Sequence, residues 1–214
     1  MIFRETAIPD LPSEREKVIE AVSRRLETGE LLVHPTSTLY GIGAAHGAGL
    51  DEEILRLKQK PPGSPLLRLA PSVETVRSVR PKVEWDERAE KLADRFWPGS
   101  LTLVLEDGTA QGLAVRVDGH PVVRAILSAY GGLMISTSVN RAGQPASVSP
   151  GEVRELLADL PDASVPLTFV NAGPVTARGP STILSLRSDP ARLLRLGAVE
   201  TGLLESCLGA PVLR

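Results

Sequence analysis

The sequence predicts an α/β fold, with residues 1–214 as a single domain around a large twisted sheet of parallel and antiparallel strands flanked by helices. Helical patterns alternate with short apolar strands in the first half of the chain, and strands cluster in the middle. Hydrophobic residues make up 42% of the sequence, which is enough for a substantial core. No internal repeat or long linker divides the chain, so one sheet is expected to organise all of it.

The helices are predicted from capping residues and from apolar residues that recur at helical spacing. Ser13 is predicted to cap the first helix, which ends near Gly29. A second helix begins at Asp51 and must end before Pro61, because proline cannot continue it. The same signals predict further helices over residues 71–79, 84–96, 121–130 and 149–160.

Short apolar runs bounded by turn residues are predicted to be strands. Residues 31–33 are continuously apolar, which indicates a central strand buried on both faces. The tail from Thr201 is short and weakly patterned, and no element is predicted there. The remaining strands are predicted over residues 1–4, 66–70, 101–105, 113–117, 133–137, 168–170, 182–186 and 193–196, the last two as a pair.

Two stretches carry most of the polar groups that follow apolar runs. They are VHPTSTLYGIG at residues 33–43 and ISTSVNRAG at residues 135–143. A strand that delivers hydroxyls, amides and glycines at its end is a common way to build a polar pocket on a buried sheet. We therefore expect both stretches to line one nucleotide-and-substrate site, with Lys58 and Lys60 supplying positive charge.

Composition and missing motifs exclude several classes of protein. The net charge of −2 gives no global attraction to nucleic acid, although a local basic patch stays open. The single cysteine, Cys207, excludes an internal disulfide. We find no signal peptide and no apolar segment of the ~20 residues that a membrane helix needs, so we expect a cytoplasmic protein with no membrane association.

Familiar catalytic signatures are also missing. The chain has no Walker A loop, no GxGxxG fingerprint and no GxSxG elbow. His34, His46 and His120 lack metal-ligand spacing and are interpreted as structural or solvated. The remaining hydroxyl, amide and basic groups suit the binding of phosphates and a small polar substrate. Adenylyl transfer needs positioning and charge cancellation, with Mg²⁺ accompanying ATP, rather than a protein nucleophile.

Lys58 and Lys60 are the candidate catalytic residues on this interpretation. The prolines of the KQKPPGSP segment at residues 58–65 would hold the two lysines in place at low entropic cost. The alternative is that both lysines form a solvated face at a helix end, where they pair with the helix dipole.

Eight short motifs follow one another along the chain. They are PTSTLYGIG at 35–43, KQKP at 58–61, PL at 65–66, WPGSLT at 97–102, AVR at 114–116, STSVN at 136–140 with Gly143, GPST at 179–182 and LRLG at 194–197. Their order and intervals resemble those of the YrdC-like family of threonylcarbamoyl-adenylate synthases, from about Leu31 to Gly197. Only a short tail follows Gly197, so the resemblance is to the short, single-domain type.

The resemblance implies an activity. Enzymes of this family combine L-threonine, bicarbonate and ATP into threonylcarbamoyl-AMP and release pyrophosphate. The product goes to the threonylcarbamoyladenosine modification of tRNA, so contact with tRNA and with partner proteins of that modification is implied as well. Such chemistry needs positive charge and hydrogen-bond donors, which agrees with the residues at hand.

The resemblance also assigns roles to residues. Arg116 would pair with the amino-acid carboxylate through a two-pronged hydrogen bond. Ser138 and Asn140 would face the nucleotide together, because alternate residues of an extended chain point the same way. Tyr40 is a further candidate, with packing in the core as the alternative. The threonine side would comprise Thr36, Thr38, Arg116, Ser136 and Ser181, and the nucleotide side Lys58, Lys60, Ser64, Ser138, Asn140, Ser147 and Arg195.

The chain departs from the family pattern at a few positions. The family usually has Lys-x-Arg where this chain has Lys58-Gln59-Lys60, and an ammonium cannot make the planar fork of a guanidinium. It tends to have histidine at the position of Leu69, whose neighbour Arg68 is expected on the opposite strand face. Ser100 and Ala142 replace a proline and a serine. We expect Lys60 and Leu69 to lie inside the pocket, where they bear on the choice of amino acid.

Two other functions stay open from the sequence. One is a related enzyme that keeps the nucleotide site and acts on a different carbamoyl or acyl substrate. The other is a non-catalytic RNA-binding module, against which the net charge of −2 argues.

Overall fold

The computed structural model describes residues 3–78, 83–140, 146–176 and 179–214. Helices and strands alternate along the first half of the chain, as predicted. In chain order the elements are β1 (Phe3–Ala7), α1 (Pro12–Glu27), β2 (Leu31–Pro35), β3 (Tyr40–Ala45), α2 (Asp51–Leu57), β4 (Leu67–Ala70), α3 (Val73–Ser78), α4 (Glu87–Phe96), β5 (Leu101–Leu105), β6 (Leu113–Val117), α5 (Pro121–Tyr130), β7 (Met134–Ser138), α6 (Pro150–Ala158), β8 (Leu167–Asn171), β9 (Thr182–Ser185), β10 (Arg192–Arg195) and α7 (Thr201–Leu208).

The strands form one ten-stranded sheet in the order β1-β8-β2-β3-β7-β4-β6-β5-β9-β10. The pairs β1–β8, β2–β8, β4–β6 and β5–β9 are parallel. The pairs β2–β3, β3–β7, β4–β7, β5–β6 and β9–β10 are antiparallel. The predicted mixed sheet is therefore confirmed, and so is the predicted pairing of the last two strands.

One half of the sheet is covered by helices on both faces. Leu32 of β2 packs in a cluster with α1 and α5, whereas Leu31 and Val33 pack in a second cluster with α2 and α6. Successive side chains of a strand point to opposite faces, so β2 is buried on both sides, as its continuous apolar run predicts.

The other half of the sheet positions the site. Leu101 and Leu103 of β5 pack against α4 and α7 in a third cluster. The alternating residues Thr102 and Val104 face the opposite side and line a cleft. The same alternation on β6 places Arg116 on the cleft side, since Arg116 lies between the buried core residues Val115 and Val117. These strands therefore have an apolar face that packs in the core and a polar face that lines the cleft.

The structure differs from the sequence expectations in three places: a strand and a helix form where none was predicted, and one predicted helix cap is absent. Residues 41–43 belong to the strand β3, and Gly43 is needed there because a Cβ would lie 2.1 Å from the Ile135 carbonyl oxygen of β7. The tail forms the helix α7, whose Leu204 is buried. Ser13 does not cap α1, which begins at Pro12, a residue whose fixed φ suits the first helical turn.

Within the ranges that the structure describes, no helix combines the length and the apolarity needed to cross a membrane.

Candidate active site

A cleft of about 1300 Å³ opens over the polar face of the sheet. The predicted stretches at residues 33–43 and 135–143 meet there, because β3 and β7 are neighbours and Gly41 pairs with Ser138. The lining includes most of the predicted site residues: Thr36, Thr38, Lys60, Ser64, Arg116, Ser136, Ser138, Asn140, Ser181 and Arg195. These residues group into two ends, which we name the Arg116 end and the lysine end.

The Arg116 end comprises Thr36, Thr38, Arg116, Ser136 and Ser181, each no more than 4% exposed. Thr36 organises the turn between β2 and β3: its Oγ1 accepts hydrogen bonds from the backbone N–H groups of Thr38, at 3.2 Å, and Leu39, at 3.1 Å. The Thr36 hydroxyl donates to the Leu39 carbonyl at 2.6 Å. The turn is closed by its own polar groups, which fixes the direction of the Thr38 hydroxyl.

Arg116 lies at the centre of this end. Its Nη1 donates to Thr38 Oγ1 at 3.3 Å, and its Nη2 lies 2.8 Å from Oδ2 of Asp118. Its Nε is buried and has no hydrogen-bond partner among the described residues. Burial lowers the pKa of the guanidinium, and the negative charge of Asp118 opposes that shift. A buried donor left unpaired is costly, so this side chain is suited to a ligand that brings an acceptor.

Ser136 is held by a buried histidine. The Nδ1 atom of His34 lies 3.3 Å from the Pro35 carbonyl oxygen, and its Nε2 lies 3.1 Å from Ser136 Oγ. Since a carbonyl only accepts, Nδ1 carries the proton and the Ser136 hydroxyl donates to Nε2. Burial lowers the pKa of His34 to about 4, so the ring is neutral at pH 7. His34, interpreted from the sequence as structural or solvated, is a buried structural residue that supports a site residue.

Ser181 and Arg195 lie together at the rim of the Arg116 end. Nε and Nη2 of Arg195 donate to the Ser181 carbonyl at 3.0 and 2.9 Å, and Nη2 also contacts Ser181 Oγ at 3.0 Å. Thr102 Oγ1 lies 3.0 Å from the same hydroxyl. The structure therefore places Arg195, assigned by resemblance to the nucleotide side, against a residue assigned to the threonine side.

The lysine end comprises Lys58, Lys60, Ser64, Ser138 and Asn140. Lys58 is the C-terminal cap of α2, and its Nζ donates to the backbone carbonyl of Asn140 and, at 2.8 Å, to Asn140 Oδ1. Ser138 Oγ donates to the same Oδ1 at 2.7 Å, so the two side chains meet as their spacing predicts. Burial and the charge of Lys60 lower the pKa of Lys58 to about 8.

The other two members of the lysine end are more open. Lys60 is exposed, and its Nζ lies 3.4 Å from Thr137 Oγ1. Ser64 donates to the Pro61 carbonyl at 2.6 Å, which folds the proline-rich loop back on itself. Lys60 is thus free to turn toward an anion in the cleft, whereas Lys58 reaches the cleft wall only through Asn140.

Lys58 and Ser147 do not line the cleft themselves. Ser147 is 7% exposed, and its backbone bonds to Tyr40 and Val139, so it supports β3 while its binding role stays a prediction. Tyr40 packs edge-on against Phe169 and donates to the Gly173 carbonyl at 2.6 Å. These contacts agree with the alternative interpretation of Tyr40 as a residue that packs in the core. Ala142 and Gly143 lie outside the described residues.

The expectation that Leu69 lies inside the pocket is wrong. Leu69 is fully buried and packs in the cluster formed with α1 and α5. Leu67, two residues nearer the start of β4, lines the cleft instead. Arg68 alternates with the two leucines along β4, as predicted, yet its side chain bonds to His46 and Asp51 and lines the cleft together with them. A leucine at position 69 therefore serves the core and does not shape the cleft surface.

One residue next to the Arg116 end is not among the site residues predicted from the sequence. Asp118 directly follows the predicted strand over residues 113–117 and forms an Asp-Gly pair with Gly119, which is typical of a turn, yet it is fully buried against Arg116. No local pattern distinguishes such an aspartate from a turn residue. Its spacing of two from Arg116 is the one available signal, because residues i and i+2 of a strand face the same side.

The cleft as a whole is suited to binding anions and polar groups. Guanidinium and hydroxyl groups converge at one end, and ammonium, amide and hydroxyl groups at the other. In the part of the chain that the structure describes, no group of three or more His, Cys, Asp or Glu side chains is placed to hold a metal ion.

Comparisons with known proteins agree with this geometry. Residues 24–197 match the Sua5/YciO/YrdC family model, which is described as "Telomere recombination". The threonylcarbamoyl-AMP synthase of Chromohalobacter salexigens is 32% identical over 184 residues, which cover 81% of this chain and 94% of that protein. The Vibrio campbellii enzyme of the same name is 31% identical over 156 residues, which cover 67% and 83% of the two chains.

Solved structures show the same fold. The structure of P. abyssi Sua5 complexed with L-threonine superposes with a TM-score of 0.80 at 26% identity, and the match covers 99% of this chain. This chain spans only 62% of that longer protein. E. coli YciO, at 22% identity, superposes with a TM-score of 0.78 over 94% of this chain and 98% of its own, a likeness of fold alone.

Proposed function

The chain belongs to the Sua5/YciO/YrdC family, and we propose that it is an L-threonylcarbamoyladenylate synthase. It condenses L-threonine, bicarbonate and ATP into threonylcarbamoyl-AMP and pyrophosphate, which makes it an enzyme of adenylyl transfer. Relatives that bear the name threonylcarbamoyl-AMP synthase match most of the chain at about 30% identity. A related structure that binds L-threonine has the same fold.

One observation carries the proposal: two unlike sites for anionic groups lie in one cleft. The buried Arg116, with Thr38 and Ser136 beside it, suits a small carboxylate that also needs hydroxyl partners. Lys60 and Ser138, with Lys58 behind Asn140, suit the phosphates of a nucleotide. A cleft of about 1300 Å³ has room for both substrates at once.

In this proposal the reaction, which the family resemblance implies, takes place in two steps. The amine of threonine attacks the carbon of bicarbonate, and loss of water leaves an N-carboxy-threonine. A carboxylate oxygen of that group then attacks the α-phosphorus of ATP, the bond to the bridging oxygen breaks, and pyrophosphate leaves with its electron pair. Neither step forms a bond to the protein, so binding, orientation and charge are what the chain supplies.

The chain's own groups divide these tasks. Arg116 holds the amino-acid carboxylate, and the buried hydroxyls of Thr38 and Ser136 orient the rest of that substrate. Lys60 is the catalytic residue of the proposal, because its charge offsets the negative charge that develops on the phosphate oxygens. Lys58, predicted beside it, does not line the cleft and acts in this proposal by positioning Asn140.

Magnesium enters this proposal as the MgATP complex. The described residues place no cluster of acidic side chains for a metal. Mg²⁺ commonly keeps several waters and binds through substrate phosphates, so the triphosphate itself is its natural carrier here. The ion supplies further charge on the phosphates when it is bound.

The product is an activated adenylate destined, in this proposal, for threonylcarbamoyladenosine in tRNA. Transfer to tRNA requires partner proteins, and we place the whole process in the cytoplasm. The net charge of −2 fits an enzyme that hands on a small product better than one that holds tRNA itself.

Pyrophosphate release from MgATP tests the proposal. The full reaction contains L-threonine and bicarbonate, and each is omitted in turn. Release that needs both, with threonylcarbamoyl-AMP detected by mass spectrometry, is expected. Release with a different amino acid or none would indicate the related enzyme with another acyl substrate, and RNA binding without any release would indicate the binding module.

A further inference from the structure

Asp118 is a fully buried carboxylate at the C-terminal end of β6. Its Oδ2 lies 2.8 Å from Arg116 Nη2 and accepts from the Ser37 hydroxyl at 3.0 Å. Its Oδ1 accepts from the backbone N–H groups of Ser37 and His120, both at 2.8 Å. Both oxygens are thus used twice, which offsets the cost of burying the charge.

These bonds join two parts of the fold that are distant in sequence. Arg116 belongs to β6, whereas Ser37 belongs to the turn between β2 and β3. A second link runs in parallel, because Arg116 Nη1 donates to Thr38 Oγ1 at 3.3 Å. Asp118, Arg116, Thr38 and Ser37 therefore form a closed ring of contacts at the Arg116 end.

We propose that Asp118 is a positioning residue for amino-acid recognition: it aims the Arg116 guanidinium and fixes the Ser37–Thr38 turn so that both meet the substrate carboxylate together. This inference rests on the proposed function. Asp118 itself is fully buried and is not among the residues that line the cleft, so it acts through Arg116 and the turn.

The ring also sets the charge at this end. Asp118 neutralises Arg116, so within the ring a substrate carboxylate meets an ion pair with no net charge, and the positive charge of Arg195 lies at the rim. Recognition then depends on the direction of the guanidinium and hydroxyl donors more than on long-range attraction. Loss of the Asp118 carboxylate is therefore expected to weaken threonine binding, because the donors lose their fixed direction, even though a negative charge is removed.

The test is Asp118→Asn in the full chain, with steady-state pyrophosphate release measured against L-threonine and against ATP. Asparagine keeps the shape and one acceptor oxygen for the two backbone N–H groups, but it turns an NH₂ donor toward Arg116 and the Ser37 hydroxyl. The KM for threonine is expected to rise about tenfold or more, as the loss of one charged hydrogen bond predicts. The KM for ATP is expected to stay within about twofold of the wild-type value.

Two further variants keep the result interpretable. Ser37→Ala removes one link to Asp118 without burying an unpaired charge, and a rise of a few-fold in the threonine KM is expected, about what one neutral hydrogen bond is worth. Asp86→Ala is the stability control, because Asp86 caps α4 through Ala89 N at 2.9 Å, away from the cleft. It should lower the melting temperature and leave both KM values unchanged.

The outcomes separate the two proposals. A wild-type protein without threonine-dependent release would overturn the proposed function and this inference with it. An active wild type whose threonine KM is unchanged or lowered in Asp118→Asn and Ser37→Ala would overturn this inference alone. Equal rises in the KM values for threonine and ATP would also overturn it, since they indicate a general structural role.

Discussion

The two ends of the cleft are built in opposite ways. At the Arg116 end the five side chains are no more than 4% exposed and are tied to one another, to His34 and to Asp118. At the lysine end Lys58 is buried behind Asn140, whereas Lys60 is exposed and the Ser64 hydroxyl donates within its own loop. The first end is held in place by contacts within the protein, whereas the second presents an exposed lysine next to the cleft.

This difference matches what the two substrates demand. A small amino acid offers few groups, so selectivity for it requires donors held in fixed positions. A triphosphate offers many charged oxygens, and a flexible ammonium can follow them through the reaction. Substitutions at the Arg116 end should therefore affect stability and threonine use together, and substitution of the exposed Lys60 should affect nucleotide use alone.

The largest effect is expected from Arg116→Met, which disrupts the buried network of the Arg116 end. Removing the guanidinium leaves Asp118 buried without its counter-ion, so we expect a loss of about 3–5 kcal/mol in the free energy of unfolding. Threonine-dependent turnover at low substrate should fall about 100-fold or more, because two charged hydrogen bonds to the carboxylate are lost. Denaturant unfolding and pyrophosphate release measure the two quantities.

The matched control is Arg154→Met. Arg154 pairs with Glu5 at 2.7 Å on the surface, where its side chain is 51% exposed. An exposed pair is worth about 1 kcal/mol or less, so stability and turnover should both stay near wild type. If Arg116→Met were as stable as this control, the Arg116 end would not be the buried, mutually dependent network described above.

His34 gives the next largest effect, and it appears as a pH dependence of stability. Its pKa is about 4 in the folded protein against 6.5 for the free side chain. Between these values the unfolded chain binds a proton that the folded chain does not, so the free energy of unfolding falls as pH drops from 6.5 towards 4. The shift of about 2.5 units corresponds to about 3 kcal/mol over this window.

His34→Gln removes that titration and keeps an acceptor for the Ser136 hydroxyl. Urea unfolding at several pH values should show the wild type losing about 3 kcal/mol more than the variant between pH 6.5 and 4. Parallel stability curves for the two proteins would contradict a neutral, buried His34.

Lys60→Ala tests the exposed lysine of the other end and is expected to have the smallest effect on stability and activity. Lys60 is exposed, so the free energy of unfolding should change by less than about 0.5 kcal/mol. The KM for ATP should rise about five- to tenfold and the KM for threonine should not, because one phosphate contact is lost. Lys17→Ala, an exposed lysine of α1, is the control for general charge loss. An ATP KM that did not change would place the phosphates elsewhere.

Much of the fold follows from local signals in the sequence. Ser149 and Glu152 form a complete capping box at the start of α6, and Gly131 ends α5 with a positive φ of 79°. Both could be predicted, because caps depend on residues that are neighbours in sequence. The strand β3 could not, since its glycines carry no strand signal and are explained by tertiary neighbours. A Cβ on Gly43 would meet Ile135 of β7, and one on Gly41 would meet Ser136 of β7 and His34 of β2.

The site residues likewise fall into those that local signals predict and those whose positions depend on tertiary contacts. Hydroxyls at the ends of the predicted strands do line the cleft, because strand direction and alternation place them. The partners that hold them are set by tertiary contacts: Lys58 meets Asn140, which is 82 positions away, and His34 meets Ser136, which is 102 positions away. Asp118 has the same local pattern as an ordinary turn residue, and only its burial against Arg116 distinguishes it.

The most direct measurement is a calorimetric titration of L-threonine into the protein without ATP, repeated with Arg116→Met. A preassembled Arg116 end predicts saturable, one-to-one binding by the wild type and binding at least about tenfold weaker by the variant. Binding of equal strength by both proteins, or no threonine binding until nucleotide is added, would contradict the view that the Arg116 end is formed in advance to receive the amino acid.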